Sequence, residues 1–148
     1  MEAILFSGIQ AAGKSAYFKA RFADSHVRLN LDMLRTRHRE GILLRACLEA
    51  RQAFVVDNTN LTAADRARYI ELARAARFRV VGYRFFVDLD TAIARNAGRA
   101  GPRPVPELAL RASLKRWQPP DPGEGFDALY DVRAEAGQFR VTAARDTA

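Results

Sequence analysis

The sequence predicts an α/β fold in which a mostly parallel sheet of about five strands is flanked by helices. Short apolar runs alternate with segments of helical periodicity, which is the pattern of a parallel sheet. The run at 53–57 is continuously apolar and ends in an aspartate, which is typical of a central strand covered on both faces. A glycine-rich segment joins the first apolar run to a helix. The chain has 148 residues, so we expect a single domain over 1–148.

The predicted elements follow one another without a linker that would divide two cores. The predicted strands are 3–6, 27–30, 53–57, 79–86, 128–135 and 138–141. The predicted helices are 14–23, 32–36, 41–51, 63–76, a segment from Asp90 or Thr91 to 96, and 106–117. Thr62 is suited to cap the fourth helix, and Pro106 to begin the last one. The segment 98–106 is rich in Gly, Pro and Arg and is predicted to be a loop.

The composition is that of an ordinary globular domain, with 49% hydrophobic and 28% charged residues. The single cysteine, Cys47, lies in an apolar helical pattern and is predicted to be a buried thiol. No apolar segment is long enough to predict a membrane span, and no signal-peptide pattern is present. We therefore expect a cytoplasmic location, no membrane association and no obligate protein partner.

The net charge is +7, and nearly all of the positive charge is arginine. Arginine binds phosphate as a planar fork, so this charge is consistent with a phosphate-rich partner. A GC-rich coding bias explains the bulk of the arginines at least as well, since alanine is also abundant. Charge alone therefore gives weak support for nucleic-acid binding.

The glycine-rich segment carries the strongest chemical signal in the chain. Residues 8–15 read Gly-Ile-Gln-Ala-Ala-Gly-Lys-Ser and fit the pattern G-x-x-x-x-G-K-[ST] between a strand and a helix. Glycines turn backbone N–H groups toward phosphate oxygens, and the helix N-terminus adds a positive dipole. The pattern predicts that Lys14 reaches the β- and γ-phosphates of ATP or another NTP, and that Ser15 ligates Mg²⁺. The predicted nucleotide-binding residues are Gly8, Ala11, Ala12, Gly13, Lys14, Ser15 and Ala16.

Asp57 closes the third predicted strand. An aspartate at a strand end is usually a turn residue or a helix cap. Beside a phosphate-binding loop, however, it is placed to hold the Mg²⁺ shell directly or through water. We therefore predict Asp57 and Ser15 as the metal-binding residues.

Asp32 follows the second predicted strand, and Arg35 lies one helical turn later. A carboxylate there can take a proton from an attacking hydroxyl, and an arginine can hold a phosphate of the acceptor. Spacing alone favours a simpler interpretation, an i,i+3 ion pair on the surface.

Arg95 and Arg99 are spaced i,i+4 at the edge of the predicted loop, with Arg103 beyond them. Arginines on a mobile segment suit a lid that neutralises charge on a transferring phosphoryl group. The alternative is a solvated basic loop without a role.

The order of these motifs resembles the kinase domain of polynucleotide 5′-kinases, including the phage enzyme and the metazoan kinase-phosphatases. The matching pieces are Gly8 to Ser15, Asp32-x-x-Arg35, Val55-Val-Asp-Asn-Thr-Asn60 with Arg66 and Tyr69, Ala94-Arg95-Asn96-x-x-Arg99, Val105-Pro106, and Trp117-x-Pro119 leading to Glu124-Gly125-Phe126-Asp127. The resemblance implies that Asp32 is the general base and that Arg35 contacts the acceptor phosphate. It also implies that Arg99, with Arg95, is the lid arginine on the nucleotide.

The sequence as a whole predicts a P-loop kinase fold with an arginine-containing lid. The favoured activity is Mg²⁺-dependent transfer of the γ-phosphate of ATP to a hydroxyl, with the 5′-OH end of RNA or DNA as the expected acceptor. A small-metabolite kinase for a sugar, nucleoside or antibiotic is the alternative among enzymes. A nucleotide-binding regulatory ATPase without an acceptor is the alternative from another class.

Overall fold

A computed structural model describes residues 1–98 and 105–144 of the chain, and its centre is one mixed sheet. The sheet order is β2-β3-β1-β4-β5-β6, and every neighbouring pair is parallel except β5 and β6. The strands are β1 (Glu2–Ser7), β2 (Val27–Leu29), β3 (Phe54–Val56), β4 (Arg79–Phe85), β5 (Ala128–Glu135) and β6 (Gln138–Ala143). The described part of the sheet thus contains a strand for each of the six predicted segments, where the predicted sheet was put at about five strands.

Six helices connect and cover the strands in the described ranges. They are α1 (Lys14–Arg21), α2 (Leu31–Leu34), α3 (Arg37–Ala50), α4 (Ala63–Ala75), α5 (Leu89–Ala97) and α6 (Glu107–Arg116), and a 3₁₀ turn spans Pro122–Glu124. In the part of the chain that the structure describes, no helix combines the length and apolarity needed to cross a membrane.

Alternating side chains of β1 build a core on each face of the sheet. Ala3 and Leu5 pack with buried residues of α3 and α4, including Leu44, Cys47 and Tyr69. Ile4 and Phe6 pack on the other face with an aromatic cluster around α1 that includes Tyr17, Phe18 and Phe22. Burial of each large apolar side chain stabilises the fold by about 1.5–3 kcal/mol. The prediction that Cys47 is a buried thiol is confirmed.

Polar side chains cap α2, α3, α4 and α5, and the structure corrects three predicted boundaries. Thr36 caps α3 through the backbone N–H of Arg39, so this helix begins four residues before the predicted start at 41. Arg35 has a φ of 77°, which ends α2 before it and shows that the predicted helix 32–36 is too long. Asp88, rather than Asp90 or Thr91, caps α5. Thr62 caps α4 as predicted, in a capping box with Asp65.

Candidate functional site

The candidate site lies where the carboxyl ends of β1, β2 and β3 meet. Parallel strands bring the segments that follow them to one edge of the sheet, where ligands bind in open α/β folds. These segments form a cleft of about 470 Å³. The predicted site residues that line it are Ala11, Gly13, Lys14, Ser15, Ala16, Asp32, Asp57 and Arg95. Asn30, Asn58 and Gln10 also line it.

The loop between β1 and α1 needs its two glycines for different reasons. A Cβ on Gly8 would lie 2.8 Å from the carbonyl oxygen of Phe85, so only glycine allows this close approach. Gly13 has a φ of 99° just before α1, a backbone conformation that L side chains rarely adopt. Gly8 and Ala12 do not line the cleft. Gly8 donates its N–H to the carbonyl of Thr59, and Ala12 is buried in the core, so both shape the loop from behind.

Lys14 and the start of α1 supply positive charge to the cleft. The Lys14 ammonium donates to the carbonyl oxygens of Gly8 and Ile9 at 2.7 and 2.6 Å, which holds it over the loop. No side chain of the described residues caps α1. Its first N–H groups have no partner within the helix and therefore form an anion-binding end.

Ser15 and Asp57, the two residues predicted to bind Mg²⁺, are in contact. The Ser15 hydroxyl donates to Asp57 Oδ2 over 3.2 Å, and Asp57 is only 1% exposed. Arg28, which the sequence analysis did not single out, donates from Nε to Asp57 Oδ2 and from Nη2 to Ser15 Oγ, both at 2.8 Å. Three side chains from β2, α1 and the end of β3 therefore form one polar cluster.

The cluster fits Mg²⁺ by the chemistry of its oxygens. A hydroxyl and a carboxylate are hard ligands, and Mg²⁺ is usually bound by one or two carboxylates together with substrate phosphates. Within residues 1–98 and 105–144, no group of three or more His, Cys, Asp or Glu residues is placed to hold a metal. Gln10 Oε1 is buried at the loop without a hydrogen-bond partner among these residues, and an acceptor of this kind suits a hydroxyl or a water molecule.

Asp32 is exposed in the cleft, and two asparagines fix the short helix that carries it. Asn30 Oδ1 accepts the N–H of Met33 at 3.0 Å, and Asn58 Oδ1 accepts the N–H of Leu31 at 2.9 Å. The Asp32 carboxylate makes no hydrogen bond or ion pair with any described residue. It is therefore a solvent-facing carboxylate on a rigid support.

Arg35 lies outside the lining of the cleft. The surface ion pair with Asp32, which was the alternative by spacing alone, is absent from the described part of the structure. The left-handed backbone at Arg35 removes it from the helix, so the i,i+3 geometry does not apply. Its exposed side chain follows Asp32 by three positions in the chain.

Arg95 comes to the cleft from the end of α5. Its Nη2 donates to the carbonyl oxygen of Ala134 at 2.9 Å, which ties α5 to the end of β5. Asn96 exchanges hydrogen bonds with the backbone N–H and carbonyl of Val105, and so joins the two described flanks of the predicted lid. The predicted lid residues Arg99 and Arg103 lie outside the described residues.

A buried polar network holds the end of β1, just before the phosphate-binding loop. Arg66 is fully buried and makes two hydrogen bonds to the Glu124 carboxylate, at 2.8 and 2.9 Å. It also donates to the carbonyl of Asn60 at 2.8 Å. Ser7, the last residue of β1, donates to that carbonyl and accepts the indole N–H of Trp117 at 3.0 Å. The network links α4, α6 and the 3₁₀ turn to the residue before Gly8.

The fold and the cleft together define a P-loop kinase-like α/β domain, because a strand, a glycine-rich loop, a lysine and a helix meet beside a buried aspartate. The family model AAA_33, described as an AAA domain, matches residues 4–120. The chain therefore belongs to this family of AAA domains.

Comparisons with individual proteins agree with this fold. A curated relative, the bifunctional polynucleotide phosphatase/kinase of Schizosaccharomyces pombe, is 25% identical over 138 residues, which are 88% of this chain and 33% of the relative. The chain thus spans about a third of that relative's length. Kti12 of Chaetomium thermophilum, solved with ADP-AlF₃, superposes with a TM-score of 0.67 at 15% identity over 90% of this chain and 89% of that chain. A gluconokinase of Sinorhizobium meliloti 1021 gives a TM-score of 0.59 at 21% identity, over 88% and 82%. The P-loop kinase-like fold predicted from the sequence is confirmed.

Proposed function

We propose that this domain transfers the γ-phosphoryl group of ATP to the 5′-OH end of RNA or DNA. The observation that carries the proposal is that one cleft contains both the phosphate-loop lysine, Lys14, and an exposed carboxylate, Asp32. A regulatory nucleotide switch needs the first of these but has no use for a general base. The AAA-domain family and the relation to a polynucleotide phosphatase/kinase support the same assignment.

The donor side of the cleft is suited to a nucleoside triphosphate. The N–H groups at the start of α1 and the Lys14 ammonium would hold the β- and γ-phosphates. Ser15 and Asp57 would hold the Mg²⁺ ion, which neutralises phosphate charge when it is bound with the nucleotide. Arg95, and Arg99 from outside the described residues, would place further positive charge on the transferring group.

On the acceptor side, Asp32 would take the proton from the attacking hydroxyl. The acceptor oxygen then forms a bond to the γ-phosphorus while the bond from that phosphorus to the β,γ-bridging oxygen breaks, and ADP leaves. Asn30 and Asn58 fix the start of α2, so the carboxylate needs little reorganisation before it accepts the proton.

The preference for a polynucleotide rests on Arg35. Its exposed guanidinium makes no ion pair with a described residue, and it follows Asp32 by three positions. A 5′-OH end carries its first phosphate one nucleotide away from the reacting oxygen, so a cation beside the base can hold it. The +7 net charge of the chain favours the same class of acceptor.

An acceptor panel with γ-labelled ATP tests the proposal. We expect label transfer to 5′-OH oligonucleotides, weaker acceptor binding as salt rises, and little transfer to nucleosides or sugars. Arg35→Ala should cost about 2 kcal/mol or more in kcat/KM for an oligonucleotide and little for a nucleoside. Arg45→Ala is the matched control, since Arg45 is an exposed arginine of α3 without a partner among the described residues.

Two results would replace the proposal by its alternatives. Nucleosides or sugars that match or exceed oligonucleotides as acceptors would establish a small-metabolite kinase. Tight ATP binding without transfer to any member of the panel would favour a regulatory ATPase.

A further inference from the structure

A buried carboxylate lies behind the acceptor side of the cleft. Glu40 is 0% exposed, and its Oε1 accepts hydrogen bonds from Arg37 Nη1 at 3.1 Å, Arg68 Nη2 at 2.5 Å and the Tyr69 hydroxyl at 2.7 Å. Its Oε2 accepts Asn58 Nδ2 at 3.1 Å. Burial, together with the hydrogen bond to Glu40, raises the pKa of Tyr69, so its phenol stays protonated and remains a donor. Both oxygens of the Glu40 carboxylate therefore have hydrogen-bond partners.

Arg37 and Arg68 together carry one more positive charge than Glu40 neutralises. One carboxylate cancels one guanidinium, yet Arg37 and Arg68 both bind the same oxygen. Their side chains are 55% and 46% exposed, so each guanidinium keeps N–H donors that face solvent. Arg68 also packs over the Tyr69 ring, 4.8 Å from its centroid. The result is a preorganised pair of cations with a net charge of +1 after Glu40 is counted.

This arginine pair is connected to the residues of the cleft. Asn58 lines the cleft, donates to Glu40 and accepts the N–H of Leu31, the residue before Asp32. Arg37 follows Arg35 by two residues, at the turn from α2 into α3. Arg37 therefore lies close in the chain to the arginine to which we assign the first acceptor phosphate, and Glu40 joins Arg68 of α4 to it.

We propose that Arg37 and Arg68 form a second phosphate subsite, which binds the second phosphodiester of a polynucleotide acceptor. The inference rests on the proposed function, because only a polynucleotide has a phosphate beyond the one assigned to Arg35. Guanidinium forks are the side chains best matched to phosphate oxygens. Because Glu40 and Tyr69 already hold the pair in place, little side-chain entropy is lost when a phosphate binds.

Neutral backbone linkages test the subsite on the unmodified protein. A 5′-OH oligonucleotide is prepared with a methylphosphonate at the second linkage, or at a distal linkage as the control. For the wild-type protein we expect the neutral second linkage to lower kcat/KM about tenfold, as for one lost charge-assisted contact, and the distal one to change it little. In Arg37→Gln and Arg68→Gln, the strands with a charged and a neutral second linkage should have the same kcat/KM. Arg45→Gln should show the same difference of about tenfold as the wild type.

A structural role for the arginines gives a different pattern. If they serve only to neutralise Glu40, Arg37→Gln and Arg68→Gln lower the melting temperature but keep the full effect of the neutral linkage, and the subsite is wrong. Arg37→Lys retains the charge beside Glu40, and it replaces the glutamine variants in the linkage test if they do not fold. It should show a reduced linkage effect, because a lysine lacks the fork.

The failure of the subsite and the failure of the proposed function are distinguishable. Efficient phosphorylation of both the charged and the neutral-linkage strand by the wild-type protein overturns the subsite and leaves the kinase assignment in place. No transfer to any 5′-OH strand overturns both. A third readout is the salt dependence of acceptor binding. In a plot of the logarithm of the binding constant against the logarithm of the salt concentration, the slope should be shallower by about 0.7 in Arg68→Gln, which is the value for one phosphate contact on a single strand.

Discussion

Arg28 and Asp57 form an ion pair at the carboxyl edge of the sheet, with 2.8 Å between Arg28 Nε and Asp57 Oδ2. The same guanidinium donates to Ser15 Oγ, so one cation contacts both of the residues to which we assign Mg²⁺. A divalent ion about 4 Å from this guanidinium would experience a repulsion of about 2 kcal/mol even in bulk water, and more as water is excluded. Arg28 would therefore compete with a bound Mg²⁺ ion for Ser15 and Asp57.

Removal of the Arg28 charge should make Mg²⁺ bind more readily. We expect that Arg28→Gln needs less Mg²⁺ to reach half of its maximal ATP binding. The decrease should be at least about fivefold, which corresponds to about 1 kcal/mol, since salt screens part of the repulsion. Trp117, the single tryptophan of the chain, contacts Ser7 beside the loop and provides a fluorescence signal for nucleotide binding. Arg45→Gln is the control for the loss of one arginine. An unchanged or higher Mg²⁺ requirement in a folded Arg28→Gln protein would contradict the competition.

Lys14 should matter for turnover more than for folding. Its ammonium donates to the carbonyl oxygens of Gly8 and Ile9 in the loop, and the residue lines the cleft. Lys14→Ala should therefore keep a cooperative thermal transition but lose at least about a hundredfold in turnover, because a cation on the transferring phosphate is removed. Calorimetry and label transfer measure the two effects separately. Near-normal transfer by this variant would rule out the phosphate-loop assignment.

The Arg66–Glu124 pair should contribute mainly to stability. Arg66 is fully buried and Glu124 is largely so, and neither lines the cleft. Arg66→Ala leaves a buried carboxylate without its partner and should lower the free energy of unfolding by about 3–5 kcal/mol. Chemical denaturation followed by Trp117 fluorescence measures this loss, and Arg45→Ala should change stability by less than about 0.5 kcal/mol. A loss of similar size in both variants would mean that the pair is not a specific support.

The parts of the fold that were predictable are those that local sequence specifies. The alternation of apolar strands and helices, the glycine-rich loop with Lys14 and Ser15, and the aspartate at the end of β3 are short-range patterns. Their convergence at one edge of the sheet follows from parallel topology alone. The Thr62 cap and the buried Cys47 likewise follow from neighbouring residues.

The polar contacts that the sequence did not reveal come from tertiary structure. Glu40 follows Arg37-His38-Arg39 in a segment that resembles a solvated helix surface, and its hydrogen-bond partners include Arg68 and Tyr69 of another helix. Arg28 is one arginine among many, and its partners Ser15 and Asp57 are distant in sequence. The i,i+3 ion pair of Asp32 and Arg35, the alternative by spacing alone, does not form in the described structure, where the positive φ of Arg35 ends the helix.

Asp32 provides the most direct test of the account, because a general base acts on the acceptor and not on ATP. The measurement is single-turnover transfer from γ-labelled ATP to a 5′-OH oligonucleotide by the wild type and Asp32→Asn, with ATP affinity determined in parallel. Asp24→Asn is the matched control, since Asp24 is an exposed carboxylate in the α1–β2 turn.

We expect Asp32→Asn to lower transfer by about two to four orders of magnitude while ATP affinity changes by less than about threefold, and Asp24→Asn to match the wild type. Loss of ATP binding together with transfer would make Asp32 a nucleotide or metal ligand instead. Transfer by Asp32→Asn at the wild-type rate would contradict the proposed mechanism outright.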